Sequence, residues 1–159
     1  MSMRALYQEV ILDHNKKPRN FGPLDEHTCS AEGDNPLCGD NYTIYARLAE
    51  DKTIEAVSFS GTGCAISKAA ASMMTVRMKG KTLAEARALI EEFRHMLTGK
   101  LDPASDENTL GHLTVFQGVS QRPERVKCAV LPWHALDAAI QGQDRASTEG
   151  EHEVWQQED

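Results

Sequence analysis

The chain is short of several things, and each shortage narrows what it can be. No window of its 159 residues approaches the apolar length that a membrane-spanning helix needs. Met1-Ser2-Met3-Arg4 leads into an amphipathic segment rather than an apolar run, so no signal peptide is read and a soluble, cytoplasmic protein is expected. Positive charge is scarce: 17 Lys and Arg stand against 24 Asp and Glu, a net charge of −7. Phosphate binding needs a basic face, so nucleic acid is not expected as the main partner. There are only four cysteines, at 29, 38, 64 and 128. They are too few and too far apart to staple a disulfide scaffold of this length, which leaves metal binding, catalysis or burial. No internal repeat is present.

What remains is an ordinary globular composition, 40% hydrophobic and 26% charged, in a chain long enough for one domain with a real core. Residues 4–14 place Leu6, Val10 and Ile11, with Tyr7 beside them, on one helical face. A basic loop through Lys16, Lys17 and Arg19 breaks that helix, and His14 at its end reads as facing the helix C-terminus or as a ligand. Three strand-like segments follow: a weak one at His27 to Glu32, an alternating one at Asn41 to Leu48, and a partner at Thr53 to Ser60. Their short connections predict an antiparallel meander of about three strands.

Gly61-Thr62-Gly63-Cys64 ends the last strand and opens an Ala-rich helix over 65–78. A second helix runs from Leu83 to about Thr98, with Thr82 as N-cap and Glu85 closing a capping box. Residues 99–122 read as a surface insertion with one short helix near Leu110 to Phe116. The last helix carries Leu131, Leu136 and Ile140 and stops at Gly142. Pro132 in its first turn would put Cys128 at or just before its start. The domain therefore spans 1–142, and 143–159 form an acidic tail expected to be mobile. Cys29 and the Met73, Met74, Met78 cluster read as packing residues, and Trp133 as a packing anchor.

The chemistry concentrates in Asn35-Pro36-Leu37-Cys38-Gly39-Asp40. Cys38 and Asp40 are two apart, and Gly39 lets the backbone bend and bring thiolate and carboxylate together. Alone, the pair reads more readily as a buried Cys beside a turn Asp than as a metal site. Cys64 at a helix N-terminus would be favoured as thiolate, and Cys128 sits at another loop–helix junction. Together Cys38, Asp40, Cys64 and Cys128 make four ligands, the number that tetrahedral zinc takes.

These three segments, Asn35 to Asp40, Gly61 to Ser67 and Arg125-Val126-Lys127-Cys128, resemble the signature segments of the IscU/SufU family of iron–sulfur cluster assembly proteins. The opening Tyr7 to His14 and Lys17-Pro18-Arg19-Asn20 also resemble it, so the likeness covers residues 4 to about 141. Lys127 stands where scaffold members carry His, and Gln121 to Arg125 replaces their Leu-Pro-Pro-Val-Lys motif, which makes the chain more similar to the SufU branch. The resemblance implies an α+β fold, a small antiparallel sheet packed against several helices. It implies Zn²⁺ held by Cys38, Asp40, Cys64 and Cys128, with iron or a transient [2Fe–2S] cluster as the alternative. It further implies a sulfurtransferase that accepts persulfide sulfur on Cys38 from a SufS-type cysteine desulfurase. A His of that partner would take over one zinc position, Arg125 would help dock it, and a SufBCD-type complex would receive the sulfur. The alternative role is a scaffold that assembles a [2Fe–2S] cluster for apo-proteins.

Overall fold

A computed structural model describes residues 3–36 and 39–147. The first helix, α1 (Met3–Lys16), packs on α2 (Ala65–Met78). Ile11 is its buried residue and Tyr7 and Val10 are half-buried, as the spacing predicts; the side chain of Leu6 lies outside the described residues. His14 is tied to α2, its Nδ1 2.7 Å from Ser72 Oγ. The basic loop that follows is also pinned. Phe59 donates its N–H to the Asn20 carbonyl at 3.1 Å, and Gly22 donates to the Phe59 carbonyl at 2.7 Å.

The meander is β1 (Cys29–Asn35), β2 (Asp40–Leu48) and β3 (Ile54–Thr62), paired antiparallel as expected. Along β2 the residues Asp40, Tyr42, Ile44 and Ala46 all point inward, one face of the period-2 alternation. The sheet has a fourth strand, β4 (Arg145–Ser147), which lies parallel to β1 and gives the order β3-β2-β1-β4. These residues fall in what the composition assigned to an acidic tail from 143. Three residues carry no strand pattern of their own; they pair because β1 offers a bare edge. The rest of that tail, 148–159, lies outside the described residues.

Helix α2 starts and ends where the Ala-rich run predicts, and Ala69, Ala70 and Ala71 are fully buried. Helix α3 (Leu83–Leu97) has the expected capping box: Glu85 N–H donates to Thr82 Oγ1 at 3.1 Å, and Thr82 N–H to Glu85 Oε1 at 2.9 Å. Met73, Met74, Met78 and Trp133 belong to the core. Trp133 stacks on Phe93 with centroids 4.1 Å apart and donates its indole N–H to the Ala70 carbonyl, so it joins α4 (Pro123–Ile140) to α3 and α2.

Two expectations need correction. The insertion is not merely surface: Gly111–Gln121 forms a 3₁₀ helix whose Leu113, Val115, Phe116 and Val119 are buried, with Phe116 edge-on to Phe93. Leu113, Phe116 and Val119 recur every three residues, following a three-residue turn that a 3.6-residue template misses. Helix α4 begins at Pro123, not near Pro132, so Cys128 lies inside it. Pro123 takes the favoured first position, and Pro132 is accommodated in the buried interior. Lacking an N–H, Pro132 gives no helical hydrogen bond to the Cys128 carbonyl.

Candidate metal centre

Strand β2 starts with Asp40, α2 is capped by Cys64, and α4 carries Cys128 in its second turn. The three elements meet at one end of the sheet, and one ligand atom from each of Asp40, Cys64 and Cys128 lies within 4.8 Å of the others. Asp40 and Cys128 are buried and Cys64 half-buried. Cys38, the fourth expected ligand, lies outside the described residues. Gly39, just after it, is described: it adopts φ +79°, the left-handed region the bend requires, and donates its N–H to the Asn35 carbonyl at 2.8 Å.

The carboxylate is aimed by the backbone. Cys64 N–H donates to Asp40 Oδ1 at 3.0 Å, while Oδ2 is buried without a hydrogen-bond partner among the described residues. A buried carboxylate oxygen left unpaired is costly, and a cation is its natural complement. The Cys64 sulfur accepts from the Ser67 N–H at 3.4 Å at the N-terminus of α2. Its pKa is pulled down to about 5, first by the Cys128 thiol beside it and then by the Ser67 amide and hydroxyl, against the opposing effect of burial. Cys128 is displaced upward by the neighbouring Cys64 sulfur, burial and Asp40. The pair thus shares one proton, held on Cys128, whose thiol faces the Glu124 carbonyl at 3.6 Å. Two sulfurs and a carboxylate oxygen, one of them already a thiolate, form a mixed soft and hard donor set that suits a borderline ion such as zinc.

Four supporting residues have roles that the motifs do not reveal, although Asn35, Gly63 and Ser67 lie inside them. Asn35 Nδ2 donates to Cys128 Sγ at 3.9 Å, although Asn-Pro reads only as a turn. Tyr42 Oη and Ser67 Oγ pair at 2.9 Å behind the site, and burial keeps the phenol neutral against the opposing effect of that hydrogen bond. Gly63 is needed for space. A Cβ there would sit 2.5 Å from both Tyr42 Oη and Ser67 Oγ and 2.8 Å from Asp40 Oδ1. The spacing of Asp40 and Tyr42 was the available signal, since residues two apart on a strand share a face. Arg125 is half-buried one turn before Cys128 and lines a cavity beside the centre. His14 is not part of the centre; its partner is Ser72.

Comparison with known proteins agrees with this geometry. The family model described as the NifU-like N terminal domain matches residues 6–129. The chain is 42% identical over 138 residues to the iron–sulfur cluster assembly scaffold protein IscU of Streptococcus pyogenes serotype M1, covering 87% of this chain and 84% of that one. It is 40% identical over 139 residues to the zinc-dependent sulfurtransferase SufU of Bacillus subtilis, covering 87% and 92%. Among solved structures, the iron–sulfur cluster assembly scaffold protein for the SUF system from Fervidobacterium islandicum superposes with a TM-score of 0.78 at 38% identity, over 86% of this chain and 97% of that one. The chain belongs to the family of NifU-like N-terminal domains, with the α+β fold of its IscU and SufU members.

Proposed function

We propose that this protein is a zinc-dependent sulfur carrier for iron–sulfur cluster assembly, with Cys38, Asp40, Cys64 and Cys128 as the zinc ligands. The observation that carries the reading is the convergence of Asp40, Cys64 and Cys128 within 4.8 Å around a buried carboxylate oxygen that has no hydrogen-bond partner among the described residues. Cys38 is two residues from Asp40, so its Cα is within roughly 7 Å of that of Asp40 by chain length alone. Bound zinc would keep the sulfurs as thiolates and protect them from oxidation.

The chain's own groups supply the rest. The Cys64 amide fixes the Asp40 carboxylate, the N-terminus of α2 holds Cys64 ionised, and Asn35 steadies Cys128. Cys38 falls in the sequence between β1 and β2, on the kind of connection that carries functional residues. Its thiolate attacks the terminal sulfur of a cysteine desulfurase persulfide. The donor's S–S bond breaks, its cysteine leaves as thiolate, and the new S–S bond leaves the persulfide on Cys38. Arg125 is the docking cation for that partner, of SufS type, and a SufBCD-type complex is the receiver. All of this operates in the cytoplasm, on a domain followed by an acidic tail.

The names of the Streptococcus and Fervidobacterium relatives favour a second reading, assembly of a [2Fe–2S] cluster on the same cysteines. Metal content and the ultraviolet–visible spectrum of protein purified without chelators separate the two. Equimolar zinc and no visible absorbance are expected; iron with sulfide and a brown chromophore would overturn the sulfur-carrier reading in favour of the scaffold.

A further inference from the structure

A cavity of about 600 Å³ opens beside the metal centre, between α1, the start of α2, the 3₁₀ helix and the start of α4. That volume falls within the roughly 300–1,000 Å³ typical of small-molecule sites. Ile66, Val115 and Val119 give it an apolar lining, and Arg122 and Arg125 stand at the start of α4. Among the described residues no Asp or Glu lines it, in a chain whose net charge is −7. Two guanidiniums with no acidic lining residue select a carboxylate, whose two oxygens match the guanidinium fork. Gln117 and Gln121 add side-chain amides, which both donate and accept and so match peptide groups.

The same cavity reaches the sulfurs. Ile66 is two residues from Cys64, and Arg125 is three residues, one helical turn, from Cys128. Tyr7, also in the lining, joins the two parts. Burial raises its phenol, Arg122 and then Arg125 lower it, and Cys64 raises it, so one hydroxyl stands in the fields of both cations and of the sulfur. A ligand with a carboxylate on the arginines has room to extend over the apolar lining toward Cys64.

We propose that this cavity binds a small peptide-like thiol that carries carboxylates, one of them on Arg122 and Arg125, with its sulfur on the Cys64 side. The carboxylate site follows from the cavity alone. The choice of a thiol rests on the sulfur chemistry proposed above, since a thiol is the small group that exchanges with bound sulfur or joins a soft metal ion. In that reading Arg125 also serves the desulfurase, so the small thiol and the protein partner exclude one another.

Glutathione, with two carboxylates and one thiol, is the probe. It is titrated into the full zinc-loaded chain carrying ¹³C-labelled isoleucine methyls, with Ile66 assigned by Ile66→Val. Saturable binding is expected, with cross-relaxation between the cysteinyl methylene of glutathione and the Ile66 methyls. Arg122→Gln should weaken binding by about tenfold, the worth of one charge-assisted hydrogen bond. Arg87→Gln, which removes the same charge from α3 outside the cavity, should leave it unchanged. Arg122 makes no side-chain capping bond, so α4 tolerates the change, and an unmoved resonance of the buried Ile44 reports an intact core. Glutathione diethyl ester, with both carboxylates masked, should not bind measurably. No saturable binding, equal binding of the ester, or equal affinity in the two arginine variants would overturn the proposal. Binding without contact to Ile66 would also overturn it, as would binding that appears only as zinc leaves the protein. No desulfurase enters the experiment, so its failure is separate from a failure of sulfur transfer.

Discussion

Replacing Gly63 with alanine adds one methyl group at the point where the centre has no room. The new Cβ would lie 2.5 Å from Tyr42 Oη and Ser67 Oγ and 2.8 Å from Asp40 Oδ1, distances at which something must shift. Tyr42 is fully buried between strands and Ser67 is buried on α2, so neither has a free end to swing away. Overpacking of this kind costs about 1–3 kcal/mol. Losing the buried Tyr42–Ser67 hydrogen bond adds about 1 kcal/mol. Urea unfolding of the metal-free Gly63→Ala protein should therefore show a loss of about 2–4 kcal/mol. The displaced Asp40 carboxylate should also weaken zinc by about 10–100-fold in competition with a chelator, the usual penalty for disturbing the groups that orient a ligand. Gly118→Ala is the control. Nothing lies within 4 Å of its Cβ, so its stability should change by less than about 0.5 kcal/mol. A Gly63→Ala protein with wild-type unfolding midpoint and zinc affinity would refute the idea that Gly63 makes space for the ligand.

Three other outcomes are expected. Phe116→Ala should cost about 3–5 kcal/mol by thermal or urea unfolding, because its ring is fully buried against Phe93; a change near zero would restore the surface-loop reading of 99–122. In metal-free protein, the alkylation rate of Cys64 should rise through a midpoint near pH 5, as mapped by mass spectrometry; a midpoint near that of an ordinary thiol would contradict the Cys64–Cys128 pairing. Burial, then Arg19, depresses His14, so the fold favours its neutral form. Its contribution is complete above the unfolded value of about 6.5 and is lost as pH falls through the lower folded value. His14→Gln should therefore flatten the acid side of the stability–pH profile, measured by urea unfolding between neutral and mildly acid pH, and an unchanged slope would assign that loss elsewhere.

Much of this arrangement is legible in the residues. The alternation of Tyr42, Ile44 and Ala46 announces β2, because one face of the strand is buried, and Thr82 with Glu85 announces the start of α3, because local hydrogen bonding decides that cap. The signature segments place Cys64 and Asp40 at element ends, where the structure brings them together with Cys128. What is not legible depends on tertiary packing. Pro132 argues locally for a helix start, but burial on α2 and the sheet sustains α4 through it. Residues 145–147 become a strand only because β1 leaves an edge open. The need for Gly63 arises from three side chains, of Asp40, Tyr42 and Ser67, that no spacing in the sequence places beside it.

The most direct test of the central claim follows sulfur itself. Zinc-loaded protein is incubated with a SufS-type cysteine desulfurase and ³⁵S-cysteine, and the label is located by peptide mapping under non-reducing conditions. The account predicts label on Cys38, released by added thiol, and none on a Cys38→Ala protein whose circular dichroism is unchanged. A wild-type chain that acquires no label, or a Cys38→Ala chain that acquires as much, would contradict it.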